Sequence, residues 1–318
     1  MLNFDKKIEF TPKTNDVFTV GELLVDMISE EYDENFECTN YKKFFGGSPS
    51  NIAMNVKKLG AKSLVASAVG KDGLGEFLIN HLRSANIDTR GVQQVDYATS
   101  MVLVTKSQNS PVPIFYREAD YHLAYNSGLE EDLKRSKIIH FSCWPLSRRP
   151  ARETMERVLE VARKNNILLC FDPNYHPMTW EKGEDGIEYI KSIISKVDIV
   201  KPSEDDAERI FGKDTHKNQI EKFLKLGVKL VILTLGRKGA IVSNGRETLR
   251  FNTLATEVVD TTGAGDAFWS GFYSALIRGY TIKEALNLGF AVSAYKLKFT
   301  GAVVDLPKLE ELKQLYRI

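Results

Sequence analysis

The chain has 318 residues, a length that suits two domains or one large α/β domain. Apolar residues at 43% and charged residues at 27% are ordinary for a globular protein, and they exclude a largely disordered chain, a collagen or a long coiled coil. Lys and Arg number 43 against 42 Asp and Glu, for a net charge of +1, so no global field holds a polyanion and nucleic acid is not an expected partner.

In chain order, the charged start MLNFDKKIEF lacks the apolar core of a signal peptide. Val17–Ile28 reads as a strand. Ser48–Leu59 reads as a helix with Ser48 as N-cap, Pro49 at its first position and Ile52, Val56 and Leu59 on one face. Ser63–Val69 is a strand and Gly75–Asn86 a helix. Further strands are Lys137–Ser142, Ile167–Asp172, Asp198–Lys201 and Lys229–Leu235. Helical patterns Arg148–Asn166, Gly186–Ser195, Glu204–Phe211 and Asn218–Leu226 lie among them, and Gly263–Ile318 is helical in pattern. This alternation predicts a doubly wound α/β fold: a mostly parallel sheet with helices on both faces.

Two segments break the order. Glu30–Phe45 alternates polar and apolar residues without a helical period. Thr99–Ser107 and Val112–Arg117 alternate around Gln-Asn-Ser-Pro, the pattern of a β-hairpin. Together they predict a small separate sheet, a lid formed by about 30–45 and 97–118, on a chain that otherwise reads as one α/β domain over 1–318. No run reaches the ~18 apolar residues of a membrane span. Cys38, Cys143 and Cys170 are far apart, and no C-x-x-C occurs. That spacing excludes a zinc ribbon or disulfide framework and points to the reduced cytoplasm. The five histidines show no metal-ligand spacing.

The strongest local signal runs from Val258 to Phe268, VVDTTGAGDAF. Two β-branched residues end a strand, Gly263 and Gly265 permit a tight turn, and a helix opens at Ala264. Such a helix start offers unpaired N–H groups and a positive dipole end to a phosphate or developing anion. Asp266 in the first turn is expected to be held ionised by the dipole, ready to accept a hydroxyl proton. An anion cradle and a base in one loop suit phosphoryl transfer to an alcohol. A plain turn with a dipole partner remains open on this pattern alone. A dinucleotide fingerprint would need Gly at 268, which is Phe, and a Walker A loop would need Gly-Lys-Ser/Thr, which is absent. Gly46-Gly47-Ser48-Pro49-Ser50-Asn51 is a second Gly-rich entry to a helix, whose neutral donors suit a polyol; the alternative is an N-cap. Thr234-Leu-Gly-Arg-Lys-Gly239 is a third turn, or a simple β-turn.

GGSPSN at Gly46–Asn51, FDPNY at Phe171–Tyr175, TLGRKG at Thr234–Gly239 and DTTGAGDAF at Asp260–Phe268 together resemble the ribokinase-like (PfkB) carbohydrate kinases over almost the whole chain. The resemblance implies a ribokinase-like fold with a β-lid, and ATP-dependent phosphorylation of a sugar hydroxymethyl group. It makes Asp266 the general base and the backbone of Gly263, Ala264, Gly265 and Asp266 the anion hole. Asp26, Gly46, Gly47, Ser48 and Asn51 would bind the sugar; Thr234, Gly236 and Gly239 would line the nucleotide site, with Asn174 near the phosphates. Asp260 and Thr262 match positions that hold a monovalent cation, where potassium would order the anion-hole loop. The family's Asn-x-x-Glu near magnesium appears here as Ser203-x-x-Asp206, leaving Asp206 as the candidate ligand. Phe290 stands where the family often has a small polar residue beside adenine.

The lid phrase Phe115-Tyr-Arg-Glu118 resembles fructokinases, 2-keto-3-deoxygluconate kinases and 5-dehydro-2-deoxygluconate kinases alike. Arg117 would meet a carboxylate, donate to a neutral sugar, or form a salt bridge within the lid. His176 replaces an Arg that the mid-chain motif often supplies, which favours a neutral ketohexose over a keto-deoxy sugar acid. A nucleoside kinase would favour a more apolar lid, and a non-catalytic sugar- or nucleotide-binding protein would show damage in the base or anion hole, which here is intact. The partners so implied are a small sugar and ATP with magnesium, no nucleic acid and no membrane. Exposed strand edges of the lid imply a homodimer.

Overall fold

The computed structural model describes residues 2–33, 36–106 and 113–318. The chain enters a large sheet with β1 (Asn15–Val20) and then leaves it for β2 (Leu24–Tyr32) and β3 (Tyr41–Gly46). It returns through α1 (Ser48–Lys58), β4 (Ser63–Gly70), α2 (Gly73–Ser84) and β5 (Val92–Val95). A second departure makes β6 (Met101–Lys106) and β7 (Ile114–Tyr116). Then come α3 (Ser127–Lys134), β8 (Ser136–Ser142), α4 (Ala151–Lys164), β9 (Leu168–Asp172), α5 (Ile187–Ile194) and β10 (Ile199–Val200). The rest is α6 (Glu204–Phe211), α7 (His216–Lys225), β11 (Leu230–Thr234), β12 (Ala240–Ser243), β13 (Thr248–Phe251), α8 (Ala264–Ile277), α9 (Ile282–Lys296) and α10 (Leu309–Tyr316).

The large sheet has the order β13-β12-β11-β10-β9-β8-β1-β4-β5, parallel from β5 to β11 and antiparallel beyond. Its strands are buried on both faces, which is why they read as apolar runs rather than alternations. Phe18, Ile139, Phe171 and Val231 pack against α3–α7, whereas Val17, Ile138, Cys170 and Leu230 pack against α1, α8, α9 and α10. From β1 the chain builds outward to β4 and β5, then crosses to β8 and builds the other way. A sheet that reverses direction in this manner opens a crevice at the carboxyl ends of its strands. Glu22, Ser142, Asp172, Lys201 and Thr234 stand at those ends.

The second sheet, β3-β2-β6-β7, is the separate lid. The Gln-Asn-Ser-Pro turn expected between its last two strands, and part of the expected loop before β3, lie outside the described residues. The structure corrects several boundaries. The apolar run Val17–Ile28 is two strands in two sheets, broken at Gly21–Leu23. Ser48 does not cap α1: Gly47 does, with φ 108°, and Ser48 is the first helical residue. The strand expected at Asp198–Lys201 shortens to Ile199–Val200, and the helix expected from Arg148 starts at Ala151.

Candidate active site

Two helix N-termini converge on one carboxylate. Asp266 lies in the first turn of α8, whose cap Gly263 is left-handed at φ 72°. A Cβ on Gly263 would stand 2.5 Å from the Ala302 Cβ, so this position needs glycine for space as well as for conformation. The Asp266 Oδ1 accepts from the Ser48 hydroxyl at 2.6 Å, and its Oδ2 from the Asn51 amide at 2.9 Å. Burial pushes the Asp266 carboxyl up to about 6, against these two donors; the Asp172 carboxylate raises it further and the Lys201 ammonium lowers it. Desolvation therefore outweighs the dipole that was expected to keep Asp266 strongly ionised. The result is a carboxylate poised near neutral pH. The Ala264 N–H donates to the Thr261 carbonyl at 3.2 Å, so Ala264 is already committed within the turn. Gly265 and Asp266 remain as helix-start donors.

Asp26 on β2 faces the same point. Burial, then the nearby Asp266 charge, pushes its carboxyl up to about 7. Gly46 passes so close that a Cβ there would lie 2.7 Å from the Asp26 Cγ, and a Cβ on Gly47 would collide with the Glu22 carbonyl. Gly46, Gly47, Ser48, Asn51 and Asp26 are thus brought together around Asp266, as the sequence implied.

Three residues were missed by the sequence reading. Glu22 follows β1; its Oε1 accepts the Ser48 N–H at 3.1 Å, and burial pushes its carboxyl up to about 8. Asp172, at the end of β9, pairs with the Lys201 ammonium at 2.8 Å and accepts from the Trp269 indole at 2.8 Å. The Lys201 Nζ would lie 3.3 Å from a Cβ on Gly265, directly beside the anion-hole turn. The one available signal was their place at strand ends: Asp172 within FDPNY and Lys201 opening the KPSEDD stretch.

On the other side of Gly265, a cavity of about 660 Å³ is lined by Lys201, Thr234, Gly236, Gly239, Ala264 and Phe290, among others. Thr234, Gly236 and Gly239 therefore share one cavity with Ala264 and Gly265 at the start of α8. Phe290 packs on Phe251 and Phe268 at 5.1 and 4.7 Å between ring centres, which gives that wall an aromatic surface. Asn174 is exposed, with φ 39°, and lines neither this cavity nor the one beneath the lid.

Arg117 is not a free cation. Its Nε donates to Asp120 at 3.0 Å, its Nη1 to the Ser147 hydroxyl and the Thr179 carbonyl, and its Nη2 to Asp120 and the Trp144 carbonyl. All five guanidinium N–H groups are accounted for. Of the three sequence alternatives, the internal salt bridge fits, and the sugar-binding ones have no donor left. Beside it, Phe115 lies edge-on to Trp144 at 5.4 Å and to His176 at 5.3 Å, forming an uncharged aromatic wall. Burial pulls His176 below the ordinary histidine range.

Asp206, the candidate magnesium ligand, is an N-terminal capping residue: its Oδ2 accepts from the Ser203 N–H and hydroxyl, and its Oδ1 from the Tyr175 N–H. Among the described residues no group of three or more His, Cys, Asp or Glu side chains is placed to hold a metal. Asp260 and Thr262 do meet, but Thr262 offers Asp260 a backbone donor at 2.9 Å, and the Asp260 carbonyl already accepts from the Lys296 ammonium at 2.8 Å. This arrangement does not fit a bare monovalent cation, which would need those oxygens itself.

A family model described as pfkB family carbohydrate kinase matches residues 14–309. The chain belongs to that family. A relative from Thermoanaerobacterium thermosaccharolyticum, named ATP-dependent 6-phosphofructokinase, is 64% identical over 316 residues, 99% of this chain and 98% of its own. The fructokinase structure from Halothermothrix orenii is 42% identical, with a TM-score of 0.78 over 86% of this chain and 97% of its own. A putative ribokinase II from E. coli, solved with ATP and Mg2+, is 25% identical, with a TM-score of 0.84 over 96% of this chain and 99% of its own. As a pfkB carbohydrate kinase the chain is an ATP-dependent sugar phosphotransferase with the ribokinase-like fold. No described helix is long and apolar enough to cross a membrane.

Proposed function

We propose that this kinase transfers the γ-phosphoryl group of ATP to the C1 hydroxymethyl group of fructose 6-phosphate. The observation that carries the reaction is Asp266, held by Ser48 and Asn51 at the N-terminus of α8. Asp266 takes the hydroxyl proton while the oxygen attacks the γ-phosphorus. The bond from that phosphorus to the bridging oxygen breaks, ADP leaves, and Asp266 passes its proton to solvent. The N–H groups of Gly265 and Asp266 and the Lys201 ammonium stabilise the charge in transit. Magnesium would be held chiefly by the ATP phosphates and water, with Asp206 at most a water-mediated contact, and would neutralise charge on those phosphates.

The ketohexose agrees with the uncharged aromatic wall and the internally committed Arg117, which has no N–H left for a sugar acid. The added 6-phosphate rests on the 64% identical relative's name. It is supported by the lid: alternate residues Asp26, Ile28 and Glu30 of β2, with Lys42 of β3 and Lys106 of β6, line a cavity of about 950 Å³ beneath it. Lys42 stands opposite Ile28, one two-residue step along the strand from Asp26. Lys42 and Lys106 both reach Glu30 there, one its carboxylate and the other its carbonyl. A phosphate dianion would compete well for two lysines otherwise held by an exposed carboxylate and a carbonyl.

Unphosphorylated fructose is the second reading, favoured by the 42% identical fructokinase structure. A coupled ADP-release assay over fructose, fructose 6-phosphate, 2-keto-3-deoxygluconate and nucleosides decides. The reading stands if kcat/KM is highest for fructose 6-phosphate and falls if fructose exceeds it. We also propose a homodimer through the lid, whose edge strands β3 and β7 invite pairing. Light scattering that finds a monomer removes that part. A cytoplasmic setting is consistent with three unpaired cysteines.

A further inference from the structure

Lys296 is the last residue of α9, and its long side chain is wholly buried. Burial of a lysine at full depth demands a compensating partner, since an unpaired ammonium in a low-dielectric interior is costly. Here the partner is one residue. The Lys296 Nζ donates to the Asp260 carbonyl at 2.8 Å and lies 3.8 Å from the Asp260 Oδ2. The Asp260 carboxylate is itself committed to the loops: Oδ1 accepts the Thr262 N–H at 2.9 Å and Oδ2 the Gly301 N–H at 2.7 Å.

These contacts join two stretches that carry the anion hole. Val259 donates to the Leu297 carbonyl at 2.8 Å, tying the chain ahead of α8 to the end of α9. Further on, Gly263 packs so closely on Ala302 that a Cβ on Gly263 would stand 2.5 Å from the Ala302 Cβ. The ammonium thus sits at the hub of Asp260–Gly263 and 297–302, the two segments whose mutual position aims the first N–H groups of α8. Burial pulls the Lys296 ammonium below the ordinary lysine range, and Asp260, then Asp266, act against that burial.

We propose that the Lys296 ammonium is a built-in monovalent cation, occupying the place of the potassium ion that the family resemblance implies at Asp260 and Thr262. An ammonium and a potassium ion are close in size and carry the same charge, and each is drawn to carbonyl and carboxylate oxygens such as those of Asp260. The two cannot share this carbonyl without like-charge contact. The anion-hole loop is therefore ordered by the chain's own tethered cation, and turnover does not depend on the salt cation.

The test compares potassium with tetramethylammonium as the sole monovalent cation at equal ionic strength. Turnover of the parent enzyme should differ by less than about twofold between them; a stimulation by potassium of about tenfold or more, already a sizeable share of the ~10² that one preorganised electrostatic group provides, overturns the proposal whatever the variants do. Lys296→Ala removes the ammonium and leaves space. In tetramethylammonium its kcat should fall on the order of tenfold or more, and potassium should restore most of it. Its melting temperature should also rise with potassium concentration, as it does for any ligand that binds only the folded state, whereas the parent's should not. Lys296→Met, which fills the space without charge, should lose turnover and gain nothing from potassium. A Lys296→Ala protein that is fully active without potassium, or inactive and unresponsive in both turnover and melting, overturns the inference. If neither variant folds, the parent's indifference to potassium supports it and its activation sinks it.

Discussion

Two of the ion pairs buried close to the cleft, Arg117–Asp120 and Lys201–Asp172, are built differently. Arg117 and Asp120 are both wholly enclosed. Arg117 has an acceptor for each of its five N–H groups, and Asp120 also accepts from the Ser100 hydroxyl and the Trp144 indole. Lys201 and Asp172 are nearly as deeply buried. Yet Lys201 has three donors and, among the described residues, one carboxylate partner, and its ammonium faces the cavity shared with Gly265. A saturated network holds a fold together; an unsaturated one at a cavity wall has capacity left for an incoming anion. On this contrast Arg117–Asp120 reads as a fastener beneath the lid, and Lys201–Asp172 as a part of the proposed phosphoryl-transfer site.

The largest expected effect tests the base on which the second region depends. Asp266→Asn should lower kcat by at least about 10², the contribution of a positioned general base, while ATP binding measured by calorimetry is largely retained. A variant that keeps most of its turnover would remove Asp266 from the role and leave Lys201 without a reaction to assist. Next comes Lys201→Met. Losing one preorganised charge should lower kcat on the order of 10², with a smaller change in KM for sugar. Equal losses in stability and none in turnover would make it a second fastener and erase the contrast.

The same region sets the pH dependence. The folded-state carboxyl of Asp266 stands at about 6, above its ordinary 3.8, and the base works only when ionised. Turnover should therefore fall as pH drops through about 6, approaching tenfold per unit below it. Burial, then the Asp266 charge, raises Asp26 to about 7. Asp26 titrates above Asp266 and is largely protonated where Asp266 loses its charge, so Asp26→Asn should leave the lower limb near pH 6. A limb displaced by a unit or more, or a profile flat down to pH 5, would show that Asp266 does not govern the rate.

Much of this was legible in the sequence, and the part that was not has a common cause. The Gly-rich helix starts at Gly46–Asn51 and Gly263–Asp266 are local: each fits within a dozen residues, so the pattern reveals them. The sheet was legible because strands buried on both faces are apolar throughout. That same continuity hid the break at Gly21–Leu23, where Gly21 and Glu22 alone mark the passage of the run from the large sheet to the lid. Lys201, Glu22 and Lys296 act through partners from other elements, 36 residues away for Lys296 and Asp260, and no spacing rule exposes such a pair. Arg117 was misplaced for the same reason: three of its acceptors, on Trp144, Ser147 and Thr179, come from beyond the lid. The ionisation of Asp266 was misjudged because the sequence displays the helix dipole but not the depth of burial.

A smaller effect is expected at Gly265. A Cβ there would stand 3.3 Å from the Lys201 Nζ, tight enough to displace the ammonium by a few tenths of an ångström without touching backbone. Gly265→Ala should lower kcat by about tenfold, less than loss of the charge itself. Alanine also suits a helix better than glycine by about 1 kcal/mol, so the melting temperature should hold or rise slightly. Falling rate with constant or rising stability is the signature of a site strained for function. A fall in both would mean that the Cβ disrupts the turn rather than the ammonium.

The smallest change in turnover is expected at the other ion pair, where stability responds instead. Arg117→Ala leaves Asp120 buried without its cation, a loss of about 3–5 kcal/mol for a broken buried pair. That is within the 5–15 kcal/mol that typical folded proteins hold, so the variant should remain folded at 25 °C with a clearly lowered urea midpoint. Arg117 has no N–H to spare for a substrate, so KM for the sugar and kcat of the folded enzyme should stay within about threefold, the size of a neighbouring group's indirect influence rather than of a lost charged contact. Removing the partner instead, as Asp120→Asn, should destabilise in the same direction while leaving the kinetics equally untouched. A KM that rises tenfold or more at an unchanged urea midpoint would show that the guanidinium turns to the sugar when it binds, and the division between a saturated fastener and an unsaturated working pair would no longer hold.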